Sequence, residues 1–365
     1  SNSIFIGITG SCGKTSLKEM TKNVFQVFTS ISASKKSFNN KYGVPLSLFN
    51  FDNNHSYGVY EIGMDKKGEI DELSKILQPD IGVITNISYA HAKNFKNIKE
   101  IALAKAEIIN NIKKNGKIIL NLDDKFFKLH KKIALRKKLK VFSFSLNSRK
   151  SNVYLEKIFT QKNNFKLGIN INGIKKYFYI KNKNENLIKN ILACITIILA
   201  TNNNKFLKPS IFKKINFVDG RGDINRIKYK NKIIYLIDES YNSNPLSLKS
   251  AINNFKLLDI KNQRKHMLLG DMLELGSHST KLHKQTIKMI NSTSIENLYV
   301  IGKEMGKIFK KLKNKTNGYV LNNISQINDL VINNMNNNDY LMIKGSNATG
   351  LNKYVNQLKG SKGVL

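Results

Sequence analysis

With 365 residues, 41% of them hydrophobic and 24% charged, the chain is long enough for two soluble globular domains. No apolar run approaches the roughly 20 residues that cross a bilayer and no signal peptide opens the sequence, while two cysteines, Cys12 and Cys194, exclude a disulfide framework and, by themselves, a zinc site. The net charge of +36 comes from lysines spread along the whole chain beside an excess of Asn and Ile, as AT-rich codons produce, so a cytoplasmic protein with neither a nucleic-acid nor a membrane partner is expected.

The first apolar stretch, Ile4, Phe5 and Ile6, reads as a strand that runs into "GITGSCGKTS", residues 7–16. A glycine-rich turn between a strand and a helix leaves backbone N–H groups facing an anion, and the helix dipole favours negative charge there. The helix is expected to continue through Leu17, Met20, Val24 and Phe28. A strict phosphate loop, G-x-x-x-x-G-K-[ST], needs Gly at position 8, where Ile8 stands. Its ending is intact: Lys14 can bridge β- and γ-phosphates, and the Thr15 hydroxyl can bind Mg2+. Cys12, at the start of this helix beside Lys14, is expected to be alkylated faster than Cys194 and to be shielded by Mg-ATP.

The chain then alternates. "YGVYEIGM" reads as a strand, "GEIDELSKIL" as a helix, "DIGVITNI" as a strand, "IKEIALAKAEIINNI" as a helix and "GKIILNLDD" as a strand. That rhythm implies a parallel sheet with crossover helices and ligands at the carboxyl ends of its strands. Glu61 and His91 both fall at such ends, which makes them candidates for a nucleotide–metal site. Lys105, on a helix face, reads by itself as a solvated lysine. From Val141 to about Ile180, short β-rich pieces suggest hairpins at a sheet edge, and "NLIKNILACITIILAT" reads as a buried helix.

A second unit begins near "NFVDGRGD", residues 216–223. Strand "KIIYLIDES" leads through a loop into the helix of "YNSNPLSLKSAINNF". "RKHMLLGDMLELG" repeats the strand-then-loop pattern, and "NLYVIG" and "DYLMIKGS" are further strands. The expected fold class is α/β: a P-loop-type, mostly parallel sheet ATPase domain over residues 1–218 and a smaller Rossmann-like α/β domain over 219–365.

Taken together, "GITGSCGKTS", "NNKYGVPLSL", "YEIGMDKKGEIDELSKILQPDIGVITNISYAH" and "AKAEII" resemble the central domain of the Mur ligases. The first motif alone would equally admit folylpolyglutamate synthases or cyanophycin synthetases. "DESYNSNPLSLKSAI", "GDMLELG" and "KGS" narrow the likeness to the branch that joins D-alanyl-D-alanine to UDP-MurNAc-tripeptide. The resemblance runs from Ile4 to about Lys353 and is weakest between Val141 and Lys183. It starts at the family's central domain, so the N-terminal UDP-sugar domain is expected to be absent.

The resemblance implies a monomeric ligase of peptidoglycan precursor synthesis that uses ATP and Mg2+ and proceeds through an acyl phosphate. On it, Gly10, Ser11, Cys12, Gly13, Lys14, Thr15 and Ser16 cradle the nucleotide phosphates. Asn40 reaches the γ-phosphate region, and Asn190 and Arg221 also hold the nucleotide, Arg221 from the C-terminal domain. Thr15 and Glu61 take the first Mg2+ and His91 a second. Lys105 falls where these enzymes can carry a carbamylated lysine, which then serves as a metal ligand. Lys14, His91 and Lys105 are the catalytic candidates; Glu239, Asn242, Asn244, Asp271 and Lys344 are the acceptor-side candidates.

Three positions depart from the family pattern. Asn186 stands where His is expected, Glu239 replaces an Asp, and Asn347 replaces the Arg of "KGSR", so the adenine and acceptor contacts differ from the usual set. Four other readings stay open at this point: another Mur-type amide ligase, a P-loop kinase acting on a hydroxyl, a basic nucleic-acid-binding ATPase, and an ATP-binding fragment that ligates nothing.

Overall fold

The computed structural model describes residues 3–161, 164–215, 218–258, 260, 263–293, 295, 297–312 and 317–360. The chain divides into two compact units, Ser1–Ile215 and Asn216–Leu365, where the sequence reading places the boundary after residue 218.

In the first unit the strands are β1 (Ile4–Thr9), β2 (Ile31–Ala33), β3 (Tyr57–Glu61), β4 (Ile81–Ile84), β5 (Lys117–Asn121), β6 (Lys140–Ser145), β7 (Val153–Thr160), β8 (Phe165–Ile171) and β9 (Ile174–Ile180). They make one nine-stranded sheet in the order β2-β3-β1-β4-β5-β6-β7-β8-β9. Every pairing from β2 to β7 is parallel, and β7, β8 and β9 close the edge as an antiparallel meander. The central strands are short apolar runs (Ile6, Ile8, Val59, Val83, Ile118 and Ile119 are all buried), as a sheet covered on both faces requires. The helices are α1 (Lys14–Phe25), α2 (Gly43–Phe49), α3 (Glu69–Leu77), α4 (Ile98–Ala106), α5 (Phe127–Arg136) and α6 (Glu185–Ala200). Helix α6 is apolar nearly all round and lies against α1, β5, β6 and β7; a helix of that composition is stable only when enclosed.

Two helices are shorter than expected, each for a local reason. Helix α1 ends at Phe25 because Val27 and Phe28 donate to carbonyls three residues back, a tightened turn. The segment expected as one helix to Ile112 tightens after Ala106 into a 3-10 turn, Glu107–Asn111. There the Glu107 carboxylate accepts the N–H groups of Gly68 and Asp71, and the Asn111 amide donates to Asp71 and Ser74, so these side chains cap α3 instead of lining a longer α4.

The second unit has β10 (Asp223–Tyr229), β11 (Lys232–Glu239), β12 (Lys265–Gly270), β13 (Asn297–Ile301), β14 (Val320–Leu321) and β15 (Tyr340–Lys344), ordered β10-β11-β15-β12-β13-β14. Only β10 runs antiparallel to its neighbour. Helices α7 (Pro245–Lys256), α8 (Ser279–Asn291), α9 (Lys303–Phe309), α10 (Gln326–Asp329) and α11 (Leu351–Gly360) follow. Ile234, Leu236, Leu268, Leu341, Ile343, Leu351 and Val355 form part of its core. Among the described residues no helix is long and apolar enough to cross a membrane.

Candidate active site

The loop after β1 is shaped by two glycines. Gly10 has φ 144°, and a Cβ there would sit 1.9 Å from Thr85 Oγ1. Gly13 has φ 82°, and its missing Cβ would face Asn190 Oδ1 at 3.1 Å. Left-handed backbone and close approach together demand glycine. Helix α1 therefore starts on an N-cap with no side chain to accept from its first amides, and those amides are what a helix offers an anion.

The rest of the loop is tied to the segment that follows β4. Asn86 behaves like an extra strand residue toward Cys12: its Oδ1 accepts the Cys12 N–H at 3.0 Å and its Nδ2 donates to the Cys12 carbonyl at 3.0 Å. The Thr85 hydroxyl donates to the same carbonyl at 2.6 Å, and Ser11 donates from its N–H to the Asn86 carbonyl and from its hydroxyl to the Ser88 carbonyl. That segment is anchored in turn, because Asp124 accepts the Ile87 N–H at 2.7 Å and Asn121 donates to the Thr85 carbonyl. Lys14 folds back so that Nζ donates to the Gly10 carbonyl at 3.0 Å; Ser16 is half-buried in the first turn. Thr85, Asn86 and Asp124 escaped the sequence reading, although polar residues directly after two central strands mark a ligand side.

Next to the loop lies a buried carboxylate. Glu61, only 2% exposed, sits in β3 opposite Ile8 and accepts the Thr15 hydroxyl at 2.6 Å. Its other oxygen accepts the Asn39 amide at 2.7 Å, and Ser37 Oγ lies 3.2 Å from Thr15 Oγ1. Asn40 instead turns to the start of α2, where its Oδ1 accepts the N–H groups of Tyr42 and Gly43. The neighbouring Asn39 makes the contact to Glu61. A carboxylate and a hydroxyl are hard oxygen donors that suit a Mg2+-like cation, and the Asn39 NH2 group orients the carboxylate.

Lys105 is not solvated. It is buried to 1% exposure, and burial first, then the charge of Lys14, hold its amine well below the usual lysine range, with Cys12, Glu61 and Glu107 acting the other way. The charges it senses on Cys12, Lys14 and Glu61 belong to the loop and to the end of β3. His91, with φ 55°, sets Nδ1 2.9 Å from the Asp65 carboxylate. Thr15–Glu61 and His91–Asp65 are thus two separate pairs. Asn190 is buried against Gly13.

In the second unit, Glu239 and Lys344 are register partners at the carboxyl ends of β11 and β15. Lys344, buried, places Nζ 3.3 Å from the Glu239 carboxylate and donates to the Asn242 carbonyl at 3.0 Å. Burial raises the Glu239 carboxyl above its ordinary value while Lys344 pulls it back. Asn244 and Asp271 have structural partners. Asn244 caps α7 in a reciprocal box with Ser247, and Asp271 accepts the Glu304 and Met305 N–H groups at the start of α9. The Arg221 guanidinium lies over the Tyr241 ring, 4.2 Å from its centroid. His283, not foreseen, accepts the Met272 N–H at Nε2 and so holds the "GDMLELG" loop.

Comparison with known proteins covers both units. The family model for the Mur ligase middle domain matches residues 8–198, and that for the Mur ligase, glutamate ligase domain matches residues 224–347. The UDP-N-acetylmuramoyl-tripeptide–D-alanyl-D-alanine ligase of Rickettsia prowazekii is 31% identical over 362 residues, 96% of this chain and 77% of the relative. The enzyme of the same name from Buchnera aphidicola subsp. Acyrthosiphon pisum is 33% identical over 370 residues, 97% of this chain and 76% of its own length. Among solved structures, MurF from Acinetobacter baumannii shares the fold with TM-score 0.85 at 23% identity, covering 98% of this chain and 77% of that one. The Thermotoga maritima MurF ligase, solved with ADP, gives TM-score 0.84 at 21% identity, covering 98% and 79%. With both domain models matched in order and relatives of this similarity along nearly its whole length, the chain belongs to the Mur ligase family.

Proposed function

We propose that this chain is an ATP-dependent ligase joining D-alanyl-D-alanine to UDP-N-acetylmuramoyl-tripeptide, the substrates in the names of its relatives. The observation that carries the reading is the buried Thr15–Glu61 pair at the head of α1, with Lys14 and Lys105 as electrostatic neighbours.

A carboxylate does not condense with an amine in water until its oxygen becomes a leaving group. In the proposed reaction the tripeptide carboxylate oxygen takes the γ-phosphoryl of ATP and ADP leaves. The dipeptide amine then bonds to the acyl carbon, the C–O bond to phosphate breaks, and the amine proton passes to solvent or a base. Charge on the transferring phosphoryl group is met by Lys14 and by the amides of residues 13–16 at the head of α1. Thr15 and Glu61 would hold Mg2+, which supplies charge neutralisation on the phosphates when bound. His91 is assigned to a second Mg2+, and Asn190, Asn40 and Arg221 to the nucleotide. Lys105, an amine depressed by burial, is assigned as the carbamylated lysine: its nitrogen bonds the carbon of CO2 and releases a proton. Glu239, Asn242 and Lys344 are assigned to the acceptor, and Asn244 and Asp271 to shaping its loops.

The test is mass spectrometry of products from ATP, D-alanyl-D-alanine and UDP-MurNAc-tripeptide. A new species heavier by the dipeptide less water, with one ADP and one phosphate, is expected. Lys14→Ala should lower turnover by two to three orders of magnitude, about 3–4 kcal/mol of transition-state stabilisation. ADP release without amide formation overturns the ligase reading.

A further inference from the structure

We propose that Lys18 positions the metal-binding corner of this site by shaping the chain between β2 and α2. The proposal rests on reading Thr15 and Glu61 as Mg2+ ligands. Lys18 lies one helical turn beyond Lys14 on α1 and is fully buried. An ammonium has three N–H donors, and three acceptors surround this one: the carbonyls of Ser34, at 2.5 Å, and Lys36, and the Glu19 carboxylate at 2.9 Å. Burying a charged amine costs stability even when every donor is matched. A methionine would fill the same space but leave the Ser34 and Lys36 carbonyls without their donor, so what the ammonium contributes is the order of the two carbonyls.

The Lys36 carbonyl belongs to a stretch, residues 35–42, with no buried side chain, and the Ser34 carbonyl to the buried residue just before it. Lys35, Lys36, Phe38, Asn40, Lys41 and Tyr42 are exposed, and Ser37 and Asn39 are only half-buried. Lys36 adopts φ 46°, a left-handed conformation that a residue with a Cβ avoids unless something holds it. A segment without buried side chains opens readily unless polar contacts fix it. Its inner side carries Ser37, beside Thr15, and Asn39, whose amide orients Glu61 and whose carbonyl accepts the Gly63 N–H. Ser34 Oγ also accepts the Glu61 N–H, at 3.4 Å. Lys18 therefore grips one end of a short bridge whose other end aims the Glu61 carboxylate at Thr15. It touches no reacting atom and acts through the loop.

The test uses the full chain with Mn2+ as the probe, bound in the presence of a non-hydrolysable ATP analogue and followed by electron paramagnetic resonance. Lys18→Met should keep native circular dichroism yet bind Mn2+ about 10- to 100-fold more weakly, the usual effect of losing a partner behind a metal ligand. The concentration of Mg2+ needed for half-maximal ligation should rise, while kcat at saturating Mg2+ recovers. Lys18→Arg, which restores donors to both carbonyls, should regain most of the affinity. Native Mn2+ affinity in folded Lys18→Met overturns the proposal. If Lys18→Met does not fold, Lys18→Gln, which keeps an amide donor, decides by the same measurement. Glu61→Gln serves as the control: if it leaves Mn2+ binding unchanged, the metal reading itself fails and the role of Lys18 falls with it.

Discussion

At the scale of single residues, the two cysteines give a direct probe of the phosphate loop. Cys194 lies fully buried in α6, and burial pushes its thiol up to about 12, so at neutral pH almost none of it is the reactive thiolate. Cys12 is half-buried in the loop, its backbone held by Asn86. Alkylation at pH 7.5 should therefore modify Cys12 at least tenfold faster than Cys194, read by peptide mass mapping. Mg-ATP should slow labelling of Cys12 and AMP should slow it much less, because the proposed cradle would hold the phosphates beyond the first. Equal labelling of both, or indifference to Mg-ATP, sinks the phosphate assignment. The residues that a sequence shows well are those whose type is dictated by backbone or charge, such as Gly10, Gly13, Lys14, Thr15 and Glu61. Lys105 looked solvated because its burial comes from elements remote in sequence. Asn39 was not foreseen as a partner of Glu61, because which of two adjacent amides faces the carboxylate is decided only by the direction of the loop.

At the scale of elements, the loop depends on an approach between backbone and Thr85 that leaves no room for a side chain. Gly68 makes the contrast: its φ is 93°, as the N-cap of α3, yet nothing lies within 4 Å of the position of its missing Cβ. Gly68→Ala should cost only the left-handed strain, roughly 1–2 kcal/mol. Gly10→Ala adds to strain a clash at 1.9 Å with the hydroxyl that holds the Cys12 carbonyl, for a total of roughly 3 kcal/mol or more. Nucleotide affinity should fall for Gly10→Ala alone, measured by calorimetry beside urea unfolding. Equal stability losses for the two would mean that the loop yields easily. The strand rhythm was legible because parallel strands buried on both faces read as unbroken apolar runs. Helix ends were not, since α3 is capped by Glu107 from thirty-odd residues away, and no local pattern announces such a cap. The antiparallel meander from β7 to β9 was legible from its β-rich texture; its attachment through a parallel pairing to β6 was not.

At the scale of the whole molecule, each unit encloses a neutral histidine, and acid should destabilise both. In the first unit His130 is buried with Nε2 donating to the Ala102 carbonyl, and burial outweighs that carbonyl and Asp124 to lower its pKa. In the second, His266 is buried with Nε2 3.1 Å from the Asp339 carboxylate and Nδ1 facing the Tyr299 hydroxyl. Burial again lowers the histidine despite the carboxylate, and Arg264 acts in the same direction. Below about pH 6.5 the unfolded chain takes up protons at these positions that the folded chain refuses, so stability must fall as pH falls. Each histidine contributes at most about 1.4 kcal/mol per pH unit. Asp339 acts in a lower window. Burial raises its carboxyl, but the N–H groups of Asn336 and Arg264, the guanidinium and His266 outweigh that and hold it below the ordinary value. Its share is present above about pH 3.9 and lost only as pH falls through the depressed value. Between pH 7.5 and 5.0 Asp339 stays ionised, while the Glu107, Asp124 and Glu239 carboxyls, raised by burial, oppose the histidines, so it is the difference in urea midpoints between parent and variant that isolates His266. His266→Gln keeps a donor toward Asp339 but cannot titrate, so it should be less stable at pH 7.5 and lose less on acidification than the parent chain. An unchanged slope in the variant would mean that His266 takes up its proton inside the folded unit, with Asp339 stabilising the imidazolium more than burial opposes it.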